Sequence, residues 1–249
     1  DMQYAQTMAE IFVDVYNKQN GTSSDEMGFT RPPDDGYYST DPDFFGEDGG
    51  DEKYDVYIYN LEAGIYGWVA PEYTGDNPYS ISTTELFSTT SFMAMRNHYT
   101  DFGPQTEIES IKVTAAHEYF HAVQNGYNYH SAAWLMEATA VWSEDELYND
   151  INDHYRYMPS WFQNPSKTID DESSHMYGSF ILFQYIDEHL GGPQTIKKIW
   201  EESRSRANSV NDVSFTSIDA ALSESGSSFI SALNSMRIAN RIMSNHPNA

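Results

Sequence analysis

"TAAHEYFHAVQNG", residues Thr114 to Gly126, places two histidines and a glutamate in an otherwise apolar stretch. Ile108, Ile111, Val113, Ala115, Ala116, Phe120 and Val123 surround them at helical spacing and leave almost no polar face, which predicts a buried helix. Its ends are marked. Thr106 with Glu109 three positions on reads as a capping box, and Gly126 reads as the residue just past the C-terminus, framing a helix over 107–125. On such a helix His117 and His121 lie one turn apart on the same face and aim two imidazoles at one point. Glu118 is turned about 100° from His117, within reach of a water held beside that point. The plainer alternative is two solvent-facing histidines on an amphipathic helix. The apolar surroundings weigh against it, because burying two imidazoles and a carboxylate without partners is costly.

A metal at that point needs a third ligand. With no cysteine in the chain, it must come from His, Asp or Glu. The spacing H-E-x-x-H-x-x-G-x-x-H fails, since Gln124 stands at the glycine position and Tyr127 at the third histidine, leaving His130 three residues out of register. "WLMEATAVWSEDE", residues 134–146, offers Glu137, 16 residues after His121. Trp134, Leu135, Ala138, Val141 and Trp142 predict a second buried helix over 132–148, and a carboxylate in that company needs a cation. The alternative for Glu137 is a surface position on an amphipathic helix. Glu144 lies seven residues on, on the same side; it either supports a ligating histidine through a hydrogen bond or is an exposed acid of "SEDE".

These residues carry a resemblance. HEYFH followed by W-L-x-E-x-x-A-x-x-x-E resembles the gluzincin zinc peptidases, in particular the W-L-N-E-G-x-A-x-Y-x-E segment of their aminopeptidase-type and peptidase-MA-like branches. Trp134, Leu135, Glu137, Ala140 and Glu144 match, Trp142 supplies an aromatic at the tyrosine position, and Met136 and Ala138 depart without removing a ligand. The longer strings "VTAAHEYFHAVQNGY", "WLMEATAVWSEDELY" and "MYGSFILFQYIDEHLGG", with "KYDVYIYNL" and "YGWVAPE" before them, are similar to a group of uncharacterised secreted bacterial metalloproteases over about residues 54–205. The resemblance implies a zincin-like fold and His117, His121 and Glu137 on Zn2+. Glu118 is then the general base, and the substrate is a peptide or protein. Three protein ligands and one open position also describe a catalytic rather than a structural zinc site on chemical grounds alone. In such enzymes a tyrosine or histidine assists the oxyanion; Tyr177 in "SSHMYGSF" is the first choice for that role and His175 the second. His98, His154 and His189 read as surface or packing residues. No motif for a free amino terminus stands out, so an endopeptidase is expected. A non-peptidase zinc hydrolase and a zincin-fold binding or adhesion module without catalysis are the competing readings; the intact Glu118 argues against the latter.

The rest of the chain sets the frame. Residues 4–21, "YAQTMAEIFVDVYNKQNG", read as an amphipathic helix with Met8, Ile11, Phe12 and Val15 on one face and Gly21 just past its end. "DVYIYN", "GIYGWVA" and "SFMAMRNHY" read as strands, the last being the expected edge strand on which substrate pairs. Beyond residue 100 helices dominate: one from His175 to His189 with Gly191 after it, one opened by Pro193 and running toward Arg206, and two more over 216–225 and 228–243. The layout is α+β: a single domain over 1–249, with a small mixed sheet and the active-site helix in 1–127 and a helical part in 128–249.

Composition excludes some partners. With 38 acidic against 13 basic residues and a net charge of −25, the surface charge opposes a phosphate-backbone partner, so no nucleic acid is expected. No apolar run is long enough to span a membrane. The first residues show no basic region followed by an apolar run, so the protein is either cytosolic or has lost a leader; the resemblance implies the latter, a secreted protein, and a monomer is expected. The acidic stretch from Asp41 to Asp51, with Asp43, Glu47 and Asp48 among glycines, reads either as a Ca2+-binding loop or as a solvated turn.

Overall fold

The computed structural model describes residues 2–33, 53–80, 85–206 and 212–243, so the Asp41 to Asp51 stretch lies outside the described residues. Helix α1, Met2–Asn20, buries Met8, Ile11 and Val15, and is followed by a three-stranded sheet: β1 Val56–Tyr59, β2 Gly67–Gly75 and β3 Ser88–Arg96. β3 is the middle strand, parallel to β1 with Val56 opposite Met93, and antiparallel to β2 with Gly67 opposite Met95. The sheet is therefore mixed, as expected, but the expected edge is wrong. All nine residues of β3 are buried and both its backbone edges are paired. Its near-continuous apolar and small-residue run is what a central strand requires. Met93 and Met95 join the main core, while Phe92 meets Tyr57 and Trp68 edge-on outside that core cluster.

Helix α2, Glu107–Asn128, packs on β3 and β2. Its capping box is present: the Thr106 backbone N–H donates to Glu109 Oε2 at 2.7 Å, and the Glu109 N–H donates to Thr106 Oγ1 at 3.3 Å. The C-terminus falls two residues beyond Gly126, which is helical and buried. A Cβ there would sit 3.1 Å from Pro32 Cα and Asn77 Nδ2, so the glycine serves a close approach of chain segments rather than a left-handed cap. Asn128 ends the helix instead, its Oδ1 accepting from the His130 N–H.

Helix α3, Ala133–Leu147, packs against α2. A short 3-10 turn, Asp153–Tyr157, leads into α4, Met158–Gln163, neither of which stands out in the sequence pattern. The helix expected over His175 to His189 is two helices, α5 His175–Gly178 and α6 Phe180–Leu190. The interruption is at Ser179, whose hydroxyl donates to Ile169 O and His175 O. Gly191 closes α6 at φ 119°, a conformation that favours glycine. Helices α7 Pro193–Arg206, α8 Ser214–Ser223 and α9 Phe229–Met243 complete an α+β arrangement. One hydrophobic core runs through it from Met8 to Met236, with Phe120, Trp134, Trp142 and Trp200 among its fully buried side chains. Each such residue contributes about 1.5–3 kcal/mol of burial free energy. No helix among the described residues is long and apolar enough to cross a membrane.

Candidate metal centre

The turn of α2 that carries the histidines is pinned on its far side. Gln19 of α1 donates to Ala116 O at 2.8 Å and Ser143 of α3 donates to the same carbonyl at 3.3 Å, both buried. His117, His121 and Glu137 then converge, each offering one ligand atom, all within 4.8 Å of one another. His117 Nε2 lies 3.1 Å and His121 Nε2 3.7 Å from Glu137 Oε2. Ligands about 2.0 Å from a tetrahedral ion stand about 3.3 Å apart, and these two histidine-to-carboxylate separations bracket that value.

The hydrogen bonds behind the histidines set their tautomers. Gln124, fully buried, donates through Nε2 to Met136 O at 2.9 Å and to Thr139 Oγ1 at 3.0 Å. Its Oε1 is therefore turned to His121 Nδ1, at 2.8 Å, and makes that nitrogen the N–H donor. Glu144 Oε1 does the same for His117 Nδ1 at 2.6 Å. Both Nε2 atoms are then left with lone pairs directed toward a carboxylate oxygen. Acceptors facing one another at such distances require a positive charge between them, which either a proton on each imidazole or a divalent cation supplies.

Titration behaviour expresses the same demand. Burial opposes protonation of His117, yet hydrogen bonds and charges from Glu137 and Glu144 raise its pKa well above the usual histidine range. His121 is likewise raised, against its burial, by Glu137. Burial pushes Glu137 up, but the two histidines overcome it and hold the carboxyl well below the usual range. Glu144 is raised, chiefly by burial, and only partly compensated by His117.

Glu118 is 9 % exposed, and burial raises its pKa against the pull of His117 and His121. It lines a cavity of about 330 Å³ together with Gly67, His117, Arg156, Tyr157 and Tyr177. Gly67, the first residue of β2, stands against Glu118 in this cavity. A Cβ at Gly67 would stand 2.6 Å from Glu118 Cγ, so only glycine lets that strand come so close. Tyr177 enters the same cavity, its ring stacked on Tyr157 at 5.1 Å and on His117 at 6.4 Å. Burial and then the charges of Glu137 and Glu118 push its hydroxyl up to about 12.

The other candidates separate. His175 does not line this cavity; it stacks on Trp161 at 4.7 Å and lines another. His130 packs edge-on to Phe87 and is not among the converging residues. His154 is buried beside Phe180, and His189 is exposed. Glu144 is the hydrogen-bonding support for His117 rather than an exposed acid. Sequence reading missed Gln124, whose i, i+3 spacing from His121 was the available signal, and the group Asp153, Arg156 and Tyr157 in the cavity wall. Arg156 pairs with Asp153 at 3.3 Å and donates to Tyr157 Oη at 2.6 Å. Nothing in their spacing announces them, since they reach the site only by the turn after α3.

Residues 102–214 are similar to a family described as "Family of unknown function (DUF6055)". The matched segment contains the three converging residues, Glu118, Gln124, Glu144 and Tyr177, but not β2. Comparison with curated proteins and with solved structures returns no match.

Proposed function

We propose that the protein is a zinc-dependent metallopeptidase with a zincin-like arrangement, acting as an endopeptidase on extracellular peptide or protein. The observation that carries this reading is the convergence of His117, His121 and Glu137 beside a buried Glu118 at the wall of an open cavity. The donor set fits zinc: two imidazole nitrogens with fixed tautomers and one carboxylate. When bound there, the ion supplies Lewis acidity toward a peptide carbonyl and lowers the pKa of water.

The chain's own residues account for the remainder. Glu118, whose pKa burial raises above the usual carboxylate range, accepts the proton of the attacking water and returns it to the leaving amine. Tyr177 keeps its proton at neutral pH and donates a hydrogen bond to the developing oxyanion. Tyr157, stacked on it and held by Arg156, fixes the ring. Gly67, the first residue of β2, stands next to Glu118 and the cavity is lined by Gly64 to Gly67, so the turn leading into β2 rather than β3 is where a substrate backbone would lie.

Peptide-library hydrolysis by wild type and Glu118→Gln, with and without a chelator, tests the reading. Wild-type cleavage should be abolished by chelation, restored by zinc, and reduced by ~10²–10⁴-fold in Glu118→Gln. Cleavage indifferent to both, or none at all by the zinc-loaded wild type, overturns it.

A further inference from the structure

Cations are scarce in this chain, 13 against 38 acids, yet Lys167, Arg237 and Arg241 line a single cavity of about 430 Å³ bounded by α4, the segment after it, α5 and α9. None of its lining residues is acidic, and none lines the cavity at the metal centre. In a molecule of net charge −25, a concavity with no acidic residue in its lining and with three cations, of which Lys167 is paired with Asp171, is a local exception to the surface field.

Its chemistry has two halves. Trp161, Phe162 and Pro165 give it an apolar wall; Phe162 is 47 % exposed, and the Trp161 ring is stacked on His175. Arg237 and Arg241 are four residues apart on α9, hence on one face, and their guanidinium forks match a carboxylate. Arg237 has no ion pair or hydrogen bond among the described residues. Lys167 is held in place by Asp171 at 3.1 Å and Ser173 Oγ at 2.6 Å. His175 is 2 % exposed, and its Nδ1 has no hydrogen-bond partner among the described residues. An unpaired polar atom buried in a cavity wall is costly unless a ligand or water meets it. Burial, and then Lys167, lower the pKa of His175, so it meets a ligand as neutral imidazole.

We propose that this cavity is a binding site for a small organic carboxylate bearing an aromatic or other compact apolar group. The ring would lie against Trp161 and Phe162, the carboxylate between Arg237 and Arg241, and the volume suits such a ligand. The site lies behind the metal centre's wall: Tyr157 and Tyr177 face one cavity, while Trp161 and His175, on the helices that follow or include them, face the other.

Saturation-transfer NMR titration with phenylacetate and its neutral isostere phenylacetamide tests this, on both zinc-loaded and chelator-treated protein. Phenylacetate should bind with a Kd in the ~mM range under both conditions. Phenylacetamide, and phenylacetate on the Arg237→Ala/Arg241→Ala variant, should bind at least ~10-fold more weakly. Both arginines are exposed, so the variant should keep the wild-type fold, which its far-UV circular dichroism checks. Absence of phenylacetate binding, equal binding of the amide, equal binding by the variant, or binding lost on chelation each overturns the proposal. None of these readouts depends on peptidase activity, so this site and the metal centre stand or fall separately.

Discussion

At the scale of single residues, the candidate metal centre is governed less by the three converging ligand atoms than by what holds them. Gln124 and Glu144 each take the Nδ1 hydrogen of one histidine, and without those bonds the imidazoles could turn or change tautomer. Replacing Glu144 with Gln should weaken zinc binding by ~10–100-fold, and Gln124→Leu should do so to a similar degree. Competition with a chromophoric chelator measures both; affinity unchanged in either variant would show that its hydrogen bond has no role in holding zinc. Tyr177→Phe removes only a hydroxyl. Under the proposed mechanism it should lower kcat by ~10²–10³-fold and leave zinc affinity unchanged, which separates a catalytic hydroxyl from a packing ring.

At the scale of elements, much was legible because it follows from local chemistry. The Thr106–Glu109 box, the Gly191 cap and Pro193 at the start of α7 fall where the sequence places them, since each satisfies or spares helix-end backbone groups. What failed was long-range. Gly126 resembles a helix stop, but it is a contact point for Pro32 and Asn77, which no local pattern reveals. Strand order is equally non-local: "SFMAMRNHY" announces a strand, and only its full burial shows that it is the central one. Gly67 was read as part of a strand, whereas its importance lies in the approach of β2 to Glu118. Gly67→Ala should displace one or the other by a few tenths of an ångström or more. Under the proposed mechanism it should cost ~10-fold or more in kcat/KM, with zinc affinity retained. Peptide cleavage by Gly67→Ala equal to that of wild type would show that the close approach is incidental.

At the scale of the whole molecule, the excess of acid places carboxylates where they repel. Asp145, only 14 % exposed at its side chain, lies 3.4 Å from His154 Nδ1, and burial holds that histidine neutral, pushed down to about 4. Burial, followed by Glu188, Glu144 and Asp187, pushes Asp145 up to about 6. A carboxyl whose folded pKa is raised contributes stability that is present below its unfolded value near 4 and lost as pH rises through about 6. His154, with a lowered folded pKa, acts in the opposite sense, losing stability as pH falls below about 6.5. Asp145→Asn isolates the first effect. Its stability advantage over wild type, of order 1 kcal/mol after allowance for solvent screening, should be greatest at pH about 7–8 and vanish by about pH 4. Urea denaturation at several pH values checks this, and an advantage that does not shrink as pH falls would refute it.

The convergence of α2 and α3 on one cation is tested most directly by X-ray absorption at the zinc edge, on protein loaded with one equivalent of the ion. Wild type should show two imidazole nitrogens and oxygen donors at about 2.0–2.2 Å, and the imidazole signature should disappear in His117→Ala/His121→Ala. A zinc environment without imidazole in wild type, or one unaltered by the double substitution, would contradict the assignment.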